Sequence, residues 1–172
     1  MKTNNSFAEE MAGEPEKRIL ILGIGNLLMG DEGFGVHLAR RLAEEEWPAG
    51  VGVEDGGTAG FVLMNFLDDY PTVILIDAAL EPQRAGQWRL IQPRFSKDYP
   101  KALSTHDIGL KDLLDGLQIL GRMPNVYLFV ASVSDLQPLH IGLSEEIEGL
   151  LPVVGKEIRN LVANMLRVES GE

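Results

Sequence analysis

One run constrains this chain more than any other: Ile19-Leu-Ile-Leu-Gly-Ile-Gly-Asn-Leu-Leu-Met-Gly-Asp-Glu-Gly-Phe-Gly35. Its apolar start, Arg18–Gly23, ends in glycines and reads as a buried strand meeting a loop. A strand that is apolar on both faces belongs in a parallel sheet covered on both sides. The loop that follows carries two adjacent carboxylates, Asp31 and Glu32, where an α/β fold presents its ligand. A dinucleotide fingerprint does not fit here. Reading from Gly23 gives Gly23, Gly25 and then Leu28 where the third glycine belongs. Neighbouring carboxylates also repel a pyrophosphate and suit a cation.

The rest of the chain repeats the alternation of strand and helix. Gly33–Trp47 has helical spacing, with Val36, Leu38, Ala39, Leu42 and Ala43 on one side and Arg40, Arg41, Glu44 and Glu45 on the other. Val51–Glu54 is a second strand. Asp55-Gly-Gly-Thr-Ala-Gly60 reads as a loop into a helix over Phe61–Asp69. Thr72–Ile76 is a third, central strand with Asp77 at its end, and Gln87–Gln92 is a fourth. Pro93–Thr105 is polar and irregular, and a helix capped by Thr105 or Asp107 runs to Leu120, where Gly121 stops it. Asn125–Ala131 is a fifth strand, with Val126, Leu128 and Val130 on one face. Ser144 opens the last helical region, which Pro152 kinks or splits. Its buried stripe is Ile147, Leu150, Leu151, Val154, Ile158, Leu161 and Met165.

This order predicts one three-layer α/β/α domain over residues 18–167 with a five-stranded, mostly parallel sheet, preceded by a flexible extension over residues 1–17. The third-to-fourth connection is too short for a parallel crossover, so the fourth strand is the antiparallel one. Right-handed crossovers set the first strand between the second and third, and the crevice opens between the ends of strands one and three.

Composition removes several function classes. The formal net charge of −11 disfavours nucleic acid and anionic membrane and accommodates a basic or cationic partner. With no cysteine, thiolate ligands, disulfides and cysteine nucleophiles are excluded, and a reducing, cytoplasmic compartment fits. The polar start shows no secretory signal core, and no apolar run approaches the roughly 20 residues of a membrane span. A helical zinc-protease motif, a phosphate loop with Gly-Lys-Ser/Thr and a Gly-x-Ser-x-Gly elbow around Ser132 or Ser134 are all missing.

Three groups fall after strands or at a helix start: Glu32, Asp77 and His106. Singly, each has a plain structural reading, as a loop carboxylate, a cap and a solvated histidine. Together, two carboxylates and an imidazole can hold a divalent first-row metal and leave positions open. His37 falls on the charged side of its helix and reads as a surface residue away from such a site. His140, in Pro138-Leu-His-Ile-Gly142, reads as structural or substrate-lining. Asp55 sits in a nearby loop.

These segments, together with Asp55-Gly-Gly-Thr-Ala-Gly60 and His140-Ile-Gly-Leu-Ser144, carry a resemblance in order from Arg18 to Arg167. The chain resembles the nickel-iron hydrogenase maturation endopeptidases. That resemblance implies an enzyme that removes a C-terminal peptide from the hydrogenase large-subunit precursor after nickel insertion. It also implies that Glu32, Asp77 and His106 contact the metal, with nickel supplied by the nickel-loaded precursor. Two rivals remain open: a nucleotide-binding α/β domain, and a non-enzymatic chaperone that checks nickel loading.

Overall fold

The computed structural model describes residues 16–58, 63–93, 98–100 and 114–170. The sheet has five strands: β1 (Ile19–Ile24), β2 (Val51–Gly57), β3 (Thr72–Leu80), β4 (Trp88–Ile91) and β5 (Asn125–Val133). Their spatial order is β2-β1-β3-β5-β4. All neighbours are parallel except β4, which runs antiparallel to β5 at the edge. The β3–β4 connection holds only a single 3-10 turn, Pro82–Arg84, and therefore reverses direction instead of crossing over.

Side-chain alternation along the strands builds two cores. Ile19 and Ile21, Ile74 and Ile76, and Phe129 and Ala131 face one side. There they meet α1 (Phe34–Ala43) and the C-terminal helices α4 (Glu145–Glu148) and α5 (Leu150–Ser170). Leu20, Leu22, Val73, Leu75, Leu128 and Val130 face the other side, under α2 (Leu63–Asp69) and a short helix α3 over 114–119. The result is the three-layer α/β/α domain expected from the sequence.

Several boundaries move. β2 continues through Asp55-Gly-Gly57, where the sequence reads as a loop, because its backbone pairs with β1 as far as Ile24. β3 continues four residues past Ile76, so Asp77 lies within the strand and not at its end. β5 likewise runs to Val133, which places Ser132 inside it. α1 stops at Ala43, short of Trp47. The last helical region splits at Gly149, and Pro152 falls in the first turn of α5, where its missing N–H has no intrahelical partner to lose. At the start of the described residues, Lys17 Nζ lies 2.6 Å from Asp69 Oδ2 at the end of α2.

Candidate functional site

The site grows out of the topology. The β1–β3 ladder ends at the Gly23–Ile76 pair, while β3 continues beside β5 to Leu80. Asp77 is therefore the first β3 residue beyond the reach of β1, at the point where the chain leaves β1 in the opposite lateral direction. By alternation its side chain shares a face with Leu75 and Ala79, the face under Leu114 and Leu117 of α3. Asp77 is completely buried, and its Oδ1 accepts the Ala78 N–H at 2.7 Å.

Glu32 sits in the 3-10 turn Gly30–Gly33 between β1 and α1 and is 1% exposed. Three glycines bring this turn down onto the strands. A Cβ on Gly23 would lie 2.1 Å from the Gly35 carbonyl oxygen, and one on Gly25 would lie 2.1 Å from the Glu32 carbonyl oxygen. On Gly35 it would lie 2.1 Å from the Ile76 carbonyl oxygen and 2.2 Å from that of Ile24. The start of α1 thus rests on the Ile76–Asp77 peptide, and the turn carrying Glu32 packs against β3. The glycine punctuation serves this close backbone approach, not a phosphate, which removes the structural ground for the dinucleotide reading. The Oε2 of Glu32 and the Oδ2 of Asp77 are both closed off from solvent. His106 lies outside the described residues, as do 101–113 generally and the loop residues Ala59 and Gly60.

The two carboxylates of the opening motif separate in role. Asp31, 2% exposed, accepts the Ser144 N–H on Oδ1 at 2.6 Å, tying the turn to the N-terminus of α4 across the sequence. Ser144 in turn caps α4 through Ile147 N–H. A backbone bridge pairs Met29 with His140, and the Gly30 N–H reaches the His140 carbonyl at 2.9 Å. His140 therefore contributes its backbone to the turn, while its residue surface is exposed. Gly30, at φ 61°, lies under the Gln137 side chain. The segment His140–Ser144 is thus the brace behind Glu32. Only its serine followed by Glu145 and Glu146 hints at this in the sequence, as a helix start.

Two sequence expectations change. Asp55 is taken up by the scaffold: its Oδ2 accepts from Arg40 Nε at 2.7 Å and its Oδ1 from the Gly57 N–H at 2.9 Å. His37 is half-buried instead of lying on an open surface. Its ring packs on Gly33, the residue after Glu32, and its Nε2 is enclosed without a hydrogen-bond partner among the described residues. Burial holds its pKa below the usual histidine value, Arg40 adds to that, and Glu148 opposes it. The helical wheel identified the polar side of α1 correctly. It could not reveal that α4, anchored through Asp31, brings Glu148 toward that side.

Comparison with known proteins agrees with this architecture. A family model for hydrogenase maturation proteases matches residues 36–161. The hydrogenase expression/formation protein HupD of Bradyrhizobium diazoefficiens is 36% identical over 137 residues, covering 73% of this chain and 65% of that protein. The hydrogenase 2 maturation protease of Escherichia coli is 31% identical over 137 residues, covering 78% of this chain and 84% of that one. Among solved structures, the hydrogenase maturating endopeptidase HybD from E. coli superposes with a TM-score of 0.78 at 29% identity, covering 86% of this chain and 93% of that one. The chain belongs to the hydrogenase maturation protease family, proteases that act in the maturation of hydrogenases.

Proposed function

We propose that this chain is an endopeptidase that removes the C-terminal extension of a nickel-loaded hydrogenase large-subunit precursor. In this reading Glu32, Asp77 and His106 recognise the nickel ion that the precursor carries. The observation that supports it most is that two carboxylates are buried near the same end of the sheet, Glu32 in the turn that follows β1 and Asp77 in β3 just beyond the β1–β3 ladder. Buried carboxylates persist where hydrogen bonds or positive charge meet them, and an oxygen-lined crevice suits a divalent ion. His106 precedes α3, whose Leu114 and Leu117 pack on the face from which Asp77 projects. An imidazole from that segment completes a mixed oxygen–nitrogen set.

The role of the chain's own residues is binding and orientation. Held by three ligands, a substrate-borne ion keeps positions open for the precursor's own groups, and the scissile segment is delivered to the crevice as an intramolecular neighbour. Such an ion can polarise a carbonyl or acidify a bound water. Cysteine is absent from the chain, and the buried Ser132 is engaged elsewhere, donating to Glu81 Oε2 at 2.7 Å. We place the reaction in the cytoplasm, a reducing compartment that a cysteine-free chain fits; among the described residues no helix is long and apolar enough to cross a membrane.

The test is incubation with nickel-loaded and nickel-free precursor, followed by intact mass over time. We expect shortening of the loaded precursor only. His106→Ala should slow it by about a hundredfold or more, since it removes the single nitrogen ligand and leaves two like charges facing. Equal cleavage with and without nickel, or a fully active His106→Ala protein, would refute the nickel-recognition reading. Binding of the loaded precursor with no cleavage would favour the chaperone.

A further inference from the structure

The brace that holds the Glu32 turn also presents a surface that the fold does not use. Leu139 is 90% exposed, Ile141 76% and Leu28 53%. Scattered exposed apolar residues are ordinary, but these three are brought together by the Met29–His140 bridge, Leu28 next to Met29 on one strand of it and Leu139 and Ile141 on either side of His140 on the other. The platform beneath them is fixed by the Gly30 N–H to His140 carbonyl bond and the Asp31–Ser144 bond. Leu139 also has φ 60°, the left-handed conformation that a bulky side chain rarely adopts. A leucine that is both strained and exposed contributes little to the fold at its own position. Backbone strain of this kind concentrates where a protein meets a ligand.

The two chain segments that carry the patch are acidic. Residues 123–155 contain Asp135, Glu145, Glu146 and Glu148 and no lysine or arginine, and residues 19–39 contain none either. Those four carboxylates belong to exposed residues. Apolar side chains on acidic segments, in a chain of net charge −11, are complementary to a protein segment that carries apolar side chains flanked by lysine or arginine.

We propose that Leu28, Leu139 and Ile141 form a docking surface for an apolar, basic segment of the protein substrate, adjoining the Glu32 crevice. This rests on the proteolytic reading above for the identity of the partner. The patch would hold the substrate protein by a region apart from its metal, so it would act on affinity and leave the reacting atoms untouched.

The test compares the wild type with Leu139→Gly and with a triple variant, Leu28→Ser, Leu139→Gly and Ile141→Ser. Glycine accepts φ 60° without strain, so Leu139→Gly should melt at the same temperature as the wild type or slightly higher. Using nickel-loaded precursor, we expect KM to rise about tenfold or more in the triple variant, with kcat within about twofold. The wild-type KM should also climb as salt is raised from about 0.05 to about 0.5 M. An unchanged KM in a folded triple variant, or a KM indifferent to salt, overturns the proposal. If the triple variant does not fold, Leu139→Gly alone decides, by the same KM criterion. If the wild type binds precursor but leaves it uncut, the proteolytic reading fails while docking is judged by binding: weaker binding by the variants supports it and equal binding overturns it. Absence of any precursor binding overturns both. Wild-type dimerisation that the triple variant loses assigns the patch to a second copy and overturns the docking proposal.

Discussion

Gly35→Ala is the sharpest probe of how the fold builds the site. The new Cβ would stand 2.1 Å from the Ile76 carbonyl oxygen, 2.2 Å from the Ile24 carbonyl oxygen and 2.8 Å from the Ile24 nitrogen, all of them backbone atoms of the central strands. No side-chain rotation relieves this. The start of α1 must lift from β1 and β3 by about 0.9 Å merely to bring the Ile76 contact to the 3.0 Å limit of real Cβ contacts. Overpacking of this kind costs about 1–3 kcal/mol. Alanine's better helix propensity recovers at most about 1 kcal/mol, so the net loss is about 1–2 kcal/mol. In a chain of 172 residues that lowers Tm by about 2–8 °C. The larger effect falls on function, because the lifted turn carries Glu32 away from Asp77. A misplacement of about 1 Å at a reacting centre costs about a hundredfold in rate. Calorimetry and precursor cleavage by intact mass measure the two effects. Gly155→Ala in α5 is the control. Its Cβ would meet Leu38 Cδ1 at 3.5 Å and Leu42 Cδ2 at 3.6 Å, ordinary contacts, so it should stabilise by about 0.5–1 kcal/mol with activity intact. A Gly35→Ala protein with wild-type Tm and rate would refute this account of the crevice.

Other outcomes follow from the same contacts. Asp31→Ala strips the partner from the Ser144 N–H and should cost about 1–3 kcal/mol in chemical denaturation while loosening the His140–Ser144 brace. Arg89→Ala removes two bonds to Glu81, at 2.5 and 2.8 Å, and one to Ser132 at 3.2 Å, and should cost about 1–3 kcal/mol. The Arg89 bond first, then Ser132, hold the Glu81 pKa below its ordinary value of 4.5 against the cost of burial. The stability this contributes is present above pH 4.5 and is lost as pH falls through the lowered pKa. An Arg89→Ala melt series should be flatter than wild type in that window. His37 is held below 6.5 by burial, so the unfolded chain binds the proton more readily. Stability should fall as pH drops below 6.5 toward the lowered folded value, and melts of His37→Gln should lack that component.

Much of the architecture was legible because it is written in short-range patterns. Apolar runs, glycine stops and helical spacing located all five strands, and the stretch between Ile76 and Gln87 was visibly too short for a crossover, so the direction of β4 followed from length alone. Pro152 announced a divided C-terminal helix, and the chain divides just before it. Each of Glu32 and Asp77 has a plain structural reading alone; they could be singled out because both follow buried strands, where an α/β fold presents its ligand, and together suit a cation. Tertiary structure alone decided which side chains meet. Asp31 and Glu32 are neighbours in sequence and both are buried, yet it is Asp31 that binds the Ser144 N–H, a choice that depends on a residue 113 positions away. His37 lies on the polar side of α1, and its partial burial depends on what packs over that side. Asp77 read as a strand end because the apolar run stops there, whereas β3 continues because β5 supplies hydrogen bonds as far as Val133. Periodicity reports the local conformation of a segment and which of its faces is apolar. Register, close backbone approach and the choice of partner are set by packing between distant segments, which no local window contains.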